Sequence, residues 1–290
     1  MGRERRPPAP RARPARRVVV AGAGPAGMEA ACRAAELGHR VVLVEREDAL
    51  GGAVRLAART PVLAHLGRLV AWFEGRLGAA GVEVRRGVEA DGAYLADLAP
   101  DLLVVATGAA SAPPVLDGYD ALPAWTLEDL MRGAPSTLGT PGPPRRPVVL
   151  GGGQRGLALA LRLAAGGAAV TVVERGRPGA DTSGLAARAL LVRLERAGGA
   201  LVRGRALRLA ADGVVVRRTG GARDEGELLP ADGVVVAEPL HPVVPPDLAG
   251  GEPDVVRVGD ARAPRDIASA IAEAREIAEA ASRGGPLRPS

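Results

Sequence analysis

The feature that most constrains the fold of this 290-residue chain is a unit that occurs twice, 129 residues apart. Each copy has a short Val/Leu run, a glycine-rich turn, a helix-compatible stretch, a second Val/Leu run and a glutamate. The first copy runs from Val18 to Glu45 and the second from Val148 to Glu174, so Gly151 repeats Gly22 and Glu174 repeats Glu45. One glycine turn is a weak signal in a chain with 40 glycines. Two copies in the same context predict a duplicated strand–turn–helix–strand fold.

The glycines of such a turn have separate roles in a dinucleotide-binding unit. The first permits the tight turn, the second lets a pyrophosphate approach the backbone, and the third lets the helix pack on the strand. The N–H groups and the dipole at the helix start attract the phosphate charge. Glu45 lies 23 residues after Gly22, where its carboxylate can accept hydrogen bonds from ribose hydroxyls. The sequence therefore predicts two dinucleotide sites.

The remaining segments fit an α/β fold with two Rossmann-like dinucleotide-binding domains, the second inserted in the first. Short strands are expected at 82–84, 101–107, 214–216, 234–236 and 255–258, and a helix over 266–282. The expected organisation is a disordered Arg/Pro-rich arm (1–17), a first domain (18–112 plus 240–290), a linker (113–144) and a second domain (145–237).

The net charge of +5 belongs to the N-terminal arm. Residues 1–17 contain seven arginines and one glutamate, so they carry +6 and leave −1 for the rest of the chain. The fold itself is therefore not expected to bind nucleic acid. The arm remains open to three interpretations: a docking segment for an acidic partner, a solvated tail, or a misplaced start site.

Composition excludes several other classes of protein. The single cysteine, Cys32, excludes a disulfide framework, a cysteine-ligated iron–sulfur cluster and a dithiol redox pair, and we expect it to be a packing residue. The three histidines show no metal-ligand spacing. No apolar run approaches the roughly 18–20 residues of a membrane helix, so we expect a cytoplasmic protein with no membrane partner.

Five segments resemble the two-dinucleotide-binding flavoprotein reductases. The resemblance is to the C-terminal half of the NADH:flavin oxidoreductases of the 2,4-dienoyl-CoA reductase and trimethylamine dehydrogenase type, without their FMN barrel. The segments that carry it are Val20–Gly27, Val41–Ala53, Asp101–Ala109, Gly151–Glu174 and Val255–Ala272.

By that resemblance the first unit would hold FAD. The implied contacts are Gly22, Gly24, Pro25, Ala26 and Gly27 at the pyrophosphate, Glu45 and Arg46 at the ribose, Gly51, Gly52 and Ala53 beside the dinucleotide, Ala90 near the adenine, Thr107 and Gly108 at the domain crossing, and Gly259, Asp260 and Ile267 near the flavin. Two of these positions allow another interpretation. Ala53 stands where relatives commonly have a glutamine, and Asp260 could cap a helix instead of binding ligand.

The second unit would hold NAD(P)H. The implied contacts are Gly151, Gly153, Gln154, Arg155, Gly156, Glu174 and Arg175. Glu174 favours NADH slightly because a carboxylate repels a 2′-phosphate, but Arg175 and Arg177 leave NADPH open. The strand at 234–236 continues as Ala237-Glu238-Pro239 rather than as a glycine turn, which departs from the family pattern.

The implied function is an FAD-dependent oxidoreductase, or the reductase module of one. It would pass hydride from NAD(P)H to FAD and electrons to a separate acceptor, such as a barrel-type flavoenzyme or an electron-transfer protein. No catalytic acid, base or nucleophile is expected, because the cofactors carry this chemistry. The alternative is a non-catalytic subunit that holds ADP or FAD and docks on a partner flavoenzyme barrel.

Overall fold

The computed structural model describes residues 14–112, 116–220, 226–245 and 254–283. Most of the predicted N-terminal arm, residues 1–13, lies outside this range. Arg16, at the end of the predicted arm, is part of the fold, because its amide donates to His39 Nδ1 at 3.1 Å. No helix among the described residues is both long and apolar enough to cross a bilayer.

The elements follow the predicted duplication. The strands are β1 (Arg17–Ala21), β2 (Arg40–Glu45), β3 (Glu83–Arg86), β4 (Leu102–Val105), β5 (Ala109–Ser111), β6 (Ala124–Thr126), β7 (Pro147–Leu150), β8 (Thr171–Glu174), β9 (Ala200–Ala210), β10 (Gly213–Arg218), β11 (Glu227–Pro230), β12 (Gly233–Val236), β13 (Leu240–Pro242) and β14 (Asp254–Arg257). The α-helices are α1 (Pro25–Glu36), α2 (Gly52–Ala58), α3 (Gly67–Ala80), α4 (Gly92–Asp97), α5 (Leu127–Arg132), α6 (Gln154–Ala165), α7 (Gly184–Arg196) and α8 (Ile267–Arg283), with 3₁₀ turns at Pro61–Leu66 and Gly259–Ala261.

The first compact unit contains a five-stranded parallel sheet in the order β14-β4-β1-β2-β3. It comprises the described parts of Met1–Arg55, Leu66–Ala109 and Pro242–Ser290. The central strand β1 is buried from Val18 to Ala21, as expected for a parallel strand covered on both faces. Since β2 and β4 flank β1 on opposite sides, the turn after β1 lies where the strand order reverses. Ligands of open α/β sheets bind at this point.

The second compact unit has a seven-stranded sheet in the order β11-β10-β9-β8-β7-β12-β6, and it comprises Leu56–His65 and the described part of Ala110–His241. Strands β6, β12, β7, β8 and β9 are parallel, and β10 and β11 add an antiparallel edge. β7 lies between β8 and β12, as β1 lies between β2 and β4. The predicted fold class, an α/β chain with the second Rossmann-like unit inserted in the first, is confirmed.

The stretch expected to be a linker contributes to the second unit instead. Within 113–144 the chain forms β6 and α5, and β6 extends the sheet beside β12. Trp125 of β6 is buried and contributes to the core with Leu127 of α5. The Pro/Gly content of the stretch suggested a connection, but three residues of parallel pairing and a short capped helix are enough to bury these side chains.

Charged side chains fix α1, the helix that follows the first glycine turn. Glu29 is fully buried, and its carboxylate accepts from Arg76 of α3 at 2.5 Å and from Arg275 of α8 at 2.8 Å. A buried carboxylate needs such partners, since isolated burial of a charge is costly. Cys32, on the same helix, is fully buried, and burial raises the pKa of its thiol to about 11. It is a packing residue, as predicted.

Candidate dinucleotide sites

The first glycine turn has the backbone that a dinucleotide-binding turn needs. Gly22 has a φ of +98°, and a Cβ atom there would lie 2.5 Å from the carbonyl oxygen of Ala106. A Cβ on Gly27 would overlap the carbonyl oxygen of Gly22. A Cβ on Gly24, by contrast, would have no neighbour within 4 Å. The two outer glycines are therefore required by packing, while the middle one faces open space at the N-terminus of α1.

The second turn repeats the two packing positions. Gly151 has a φ of +105°, and a Cβ on Gly156 would overlap the carbonyl oxygen of Gly151 as one on Gly27 would overlap Gly22. The close backbone contacts of the turn are thus repeated at the same interval of 129 residues as the sequence motif. The helix start is also repeated, since α1 and α6 both have a glycine N-cap without a side-chain cap.

The two predicted ribose residues make the same hydrogen bonds in their two units. Glu45 is 7% exposed and accepts from the amides of Ala23 at 2.7 Å and Glu47 at 3.0 Å. Glu174 accepts from the amides of Gly152 at 2.6 Å and Gly176 at 2.5 Å. Each carboxylate therefore ties its glycine turn to the end of the neighbouring strand. A carboxylate has about four lone-pair positions, so these bonds leave acceptor capacity for ribose hydroxyls.

The paired glycines 51 and 52 bring a second stretch of backbone to the first turn. The amide of Gly51 donates to the carbonyl of Ala23 at 2.9 Å, and a Cβ on Gly52 would lie 3.4 Å from the Cα of Gly24. Both glycines have positive φ, +108° and +49°. Only residues without a side chain meet these requirements easily, so the sequence signal at 51–52 has a physical basis.

The C-terminal segment reaches the first turn through Gly259. A Cβ on Gly259 would lie 2.8 Å from the Cβ of Ala26, so Gly259 packs directly on the start of α1. Its amide donates to the buried carboxylate of Glu273 at 2.7 Å, and Arg262 and Arg265 pair with the same carboxylate. Glu273 was not singled out from the sequence. Its periodic position in α8 resembles an ordinary helix residue, so no signal marked it.

Of the remaining residues discussed for the first unit, some are hydrogen-bonded within the chain and others are partly or fully exposed. Asp260 accepts from the amide of Arg265 at 3.1 Å, while Asp266 caps α8 by accepting from the amide of Ser269 at 2.8 Å. Thr107 Oγ1 donates to the carbonyl of Val243, whose amide donates to Gly108 at 2.9 Å. Four others are only partly covered or exposed: Arg46, Ala53, Ala90 and Ile267.

The second turn differs from the first at its middle glycine. A Cβ on Gly153 would overlap an oxygen of the Glu238 carboxyl and would lie 2.8 Å from Oδ2 of Asp181. The amide of Gln154 donates to both Asp181 oxygens, at 2.8 and 3.0 Å. The chain's own carboxylates therefore lie on the amides that would face a pyrophosphate. Neither residue was predicted as part of a site.

Arg155, the expected cationic contact of the second turn, is also engaged within the chain. Its guanidinium pairs with the carboxylate of Glu128, which is buried and also accepts from the Ser111 hydroxyl at 2.7 Å. Burial opposes ionisation of Glu128, but Arg155 and Ser111 together lower the pKa of its carboxyl. The repeat places Ala26 at the corresponding position of the first turn.

The two turns differ in whether the pyrophosphate of the expected cofactor has room to bind. The first offers an open middle glycine, a helix N-terminus and the backbone at Gly51 and Gly52, which fit the pyrophosphate of FAD. The second has the same backbone, but Asp181 and Glu238 lie where the pyrophosphate of a nicotinamide dinucleotide would bind. With both carboxylates in place, the second turn has no room for that pyrophosphate.

A glycine turn duplicated at the strand-order reversal of two mostly parallel sheets is typical of the FAD- and NAD(P)-dependent oxidoreductases with two dinucleotide-binding units. The chain belongs to the pyridine nucleotide-disulphide oxidoreductase family, whose sequence model matches residues 16–244. FAD and NAD(P)H are the cofactors of this family. The family name refers to a disulfide chemistry for which a chain with one cysteine lacks the dithiol.

Individual relatives agree with the resemblance drawn from the sequence. An NADH oxidase of Thermoanaerobacter brockii is 40% identical over 161 residues, which are 55% of this chain and 24% of that protein. A 2-naphthoyl-CoA reductase structure superposes with a TM-score of 0.83 at 26% identity, over 93% of this chain and 40% of that one. A Lactococcus lactis thioredoxin reductase shares the fold, with a TM-score of 0.67 at 20% identity, over 92% of this chain and 98% of that one.

The chain thus spans about a quarter of the NADH oxidase and two fifths of the naphthoyl-CoA reductase. The resemblance to the FAD- and NAD(P)-binding half of this enzyme type is confirmed. By sequence, the chain is a member of a family of FAD/NAD(P)-dependent oxidoreductases.

Proposed function

We propose that the chain is a reductase module that holds FAD at the first turn, oxidises NAD(P)H, and passes electrons to a separate acceptor. The observation that carries the proposal is the open face of Gly24, flanked by the packed glycines 22, 27 and 51. An open cradle among glycines that packing requires is what a bound pyrophosphate needs.

The residues of the first unit would have distinct tasks toward FAD. The N–H groups at the start of α1 would bind the pyrophosphate, and Glu45 would accept hydrogen bonds from the adenosine ribose. Glu273 holds Gly259 against α1 and would thereby keep Asp260 beside the flavin end of the site. Bound FAD would supply the hydride- and electron-accepting chemistry, so the chain needs only to bind and orient it.

The preference for NADH over NADPH is part of this proposal. Glu174 ends β8 with its carboxylate fixed by two amides, and a fixed negative charge there disfavours a 2′-phosphate. Arg175 is exposed and adjacent, so the expected preference is modest. The acceptor would be a separate barrel-type flavoenzyme or an electron-transfer protein, since the NADH oxidase and the 2-naphthoyl-CoA reductase named above are longer than this chain.

The Gly24→Ala variant tests FAD binding at the first turn. Because a Cβ has room at Gly24, the variant should fold, but the methyl group should obstruct the pyrophosphate and weaken FAD binding by about tenfold or more. Gly75→Ala is the matched control, since a Cβ at Gly75 on α3 also has no neighbour within 4 Å. FAD binding would be measured by flavin fluorescence quenching. Equal FAD affinity in the two variants would contradict the assignment.

A second candidate function is a non-catalytic subunit that holds FAD or ADP and docks on a partner. The carboxylates of Asp181 and Glu238 on the second turn favour it, because they oppose nicotinamide binding. An anaerobic titration of FAD-loaded protein with NADH and with NADPH separates the two functions. Bleaching of the flavin absorbance by either nucleotide supports the reductase, and an oxidised flavin at saturating nucleotide supports the non-catalytic subunit.

A further inference from the structure

The N-terminus of α6 is already occupied by anionic groups of the chain itself. Asp181 comes from the loop after β8, and Glu238 is the second residue after β12. Asp181 accepts from the amide of Gln154 with both oxygens, and the amide of Gly153 faces the Glu238 carboxyl. These are the amides that bind a phosphate in a dinucleotide site of this type. The two carboxylates therefore occupy the position of the ligand's negative charge.

The arrangement is specific to the second unit. In the first unit the segment that follows β4 is Ala106-Thr107-Gly108, and Ala106 packs on Gly27. In the second unit the corresponding segment after β12 is Ala237-Glu238-Pro239, and Ala237 packs on Gly156. The contact between the alanine and the third glycine is thus repeated, and a glutamate takes the place of Thr107. Gly24 is partly exposed, whereas Gly153 is buried beneath the two carboxylates.

The local charge opposes a second anion. Glu174, Asp181 and Glu238 face the turn, while Arg155 is the cation from α6 that acts on Glu238 and is itself paired with Glu128. Burial, and then the charges of Asp181 and Glu174, raise the pKa of Glu238. A pyrophosphate brought to this turn would have to displace both carboxylates from the start of α6, because it needs the same backbone amides and the same space.

We propose that Asp181 and Glu238 occupy the pyrophosphate position of the second turn, so that a nicotinamide dinucleotide binds only when both carboxylates leave it. The inference rests on the proposed function for the identity of the ligand. It predicts weak dinucleotide binding in the wild-type chain, because the apparent affinity is reduced by the fraction of molecules in which the turn is free.

The test is calorimetric binding of NAD⁺ and of ADP-ribose to FAD-loaded protein. In Asp181→Ala/Glu238→Ala the dissociation constant for both ligands should fall by about tenfold or more, as it would if the turn were free in at most about a tenth of wild-type molecules. Asp212→Ala, which removes one exposed negative charge at the turn before β10, is the control and should bind like the wild type. ADP-ribose keeps the pyrophosphate and lacks the nicotinamide, so a matching change for both ligands excludes the nicotinamide as its cause.

Three results would overturn the inference: an unchanged affinity, a weaker affinity, or no binding by either protein. Should the alanine variant fail to fold, Asp181→Asn/Glu238→Gln decides, because these side chains keep the shape and lose the charge, and tighter binding is again expected. The proposed reductase function fails on a different readout, the absence of flavin bleaching by both NADH and NADPH. A variant that binds NAD⁺ more tightly without bleaching would support the inference and contradict that function.

Discussion

The two glycine turns of this chain share one backbone design and differ in what covers the middle glycine. At both turns the first glycine has a φ near +100° and the third cannot carry a Cβ. Both glutamates bind the amides at corresponding positions. Yet Gly24 faces open space, and Gly153 lies under Asp181 and Glu238. Packing thus preserves the turn, while ligand access depends on side chains from neighbouring loops.

The largest expected effects come from the third glycines, where the two turns are equivalent. Gly27→Ala and Gly156→Ala should each destabilise their own unit by about 2–3 kcal/mol, because the methyl group overlaps the carbonyl of the first glycine. Gly27→Ala should also abolish FAD retention, whereas Gly156→Ala should leave it intact. Urea unfolding with flavin release as a second signal measures both. Equal FAD loss in the two variants would break the assignment of FAD to the first turn.

A smaller effect is expected from Arg155, where the turns differ in charge. Arg155→Ala gives the second turn the alanine that the first has at Ala26, but it leaves the buried Glu128 without its cation. The free energy of unfolding should fall by about 2 kcal/mol, less than for a fully buried pair because the Arg155 side chain is 25% exposed. Arg188→Ala, at an exposed position on α7, is the control. Equal unfolding free energies would show that the pair contributes nothing.

The smallest expected effect is a pH dependence confined to the second turn. Burial and the charges of Asp181 and Glu174 raise the pKa of Glu238, while the Gly153 amide and Arg155 oppose the shift. Glu238 should therefore become protonated at a higher pH than an ordinary glutamate, whose pKa is about 4.3. A neutral Glu238 competes less with pyrophosphate, so NAD⁺ affinity should rise modestly as the pH falls from about 8 to about 5.

Calorimetric titrations of NAD⁺ across this pH range check that dependence. The slope should disappear in Glu238→Gln and persist in Asp212→Ala. The raised pKa also means that ionised Glu238 reduces stability at high pH, so Glu238→Gln should be the more stable protein near pH 8 and lose that advantage on acidification. An identical slope in the wild type and in Glu238→Gln would show that the charge of Glu238 does not affect NAD⁺ binding.

Much of the fold followed from the repeat, because close packing fixes its positions. Gly22, Gly27, Gly151 and Gly156 are required by contacts within one strand–turn–helix unit, and such local requirements leave a constant spacing in the sequence. β9 and β11 were not predicted, since β9 has a glycine at a buried position and β11 has a leucine at an exposed one, and both obscure the alternation of apolar and polar residues. The segment Leu56–His65 joins the second unit through long-range contacts that no local pattern records.

The state of the second turn could not be predicted for the same reason. Asp181 lies seven residues beyond Glu174, and Glu238 is 85 residues beyond Gly153, so neither belongs to the glycine motif. The motif predicts where amides are available for an anion. Which anion binds them depends on how two distant loops return to the helix start. The sequence signals this state only by its departure from the family pattern at Ala237-Glu238-Pro239. The folded structure is needed to see that the Glu238 carboxyl reaches Gly153.

The most direct test of the difference between the turns is an anaerobic NADH titration of FAD-loaded wild type and Asp181→Ala/Glu238→Ala, followed at the flavin absorbance. We expect both proteins to reach the same fully reduced endpoint and to hold the same amount of FAD. After rapid mixing, the rate of flavin bleaching in the variant should be half-maximal at about a tenth or less of the NADH concentration that the wild type needs. Equal half-saturating concentrations would show that Asp181 and Glu238 do not obstruct the second turn.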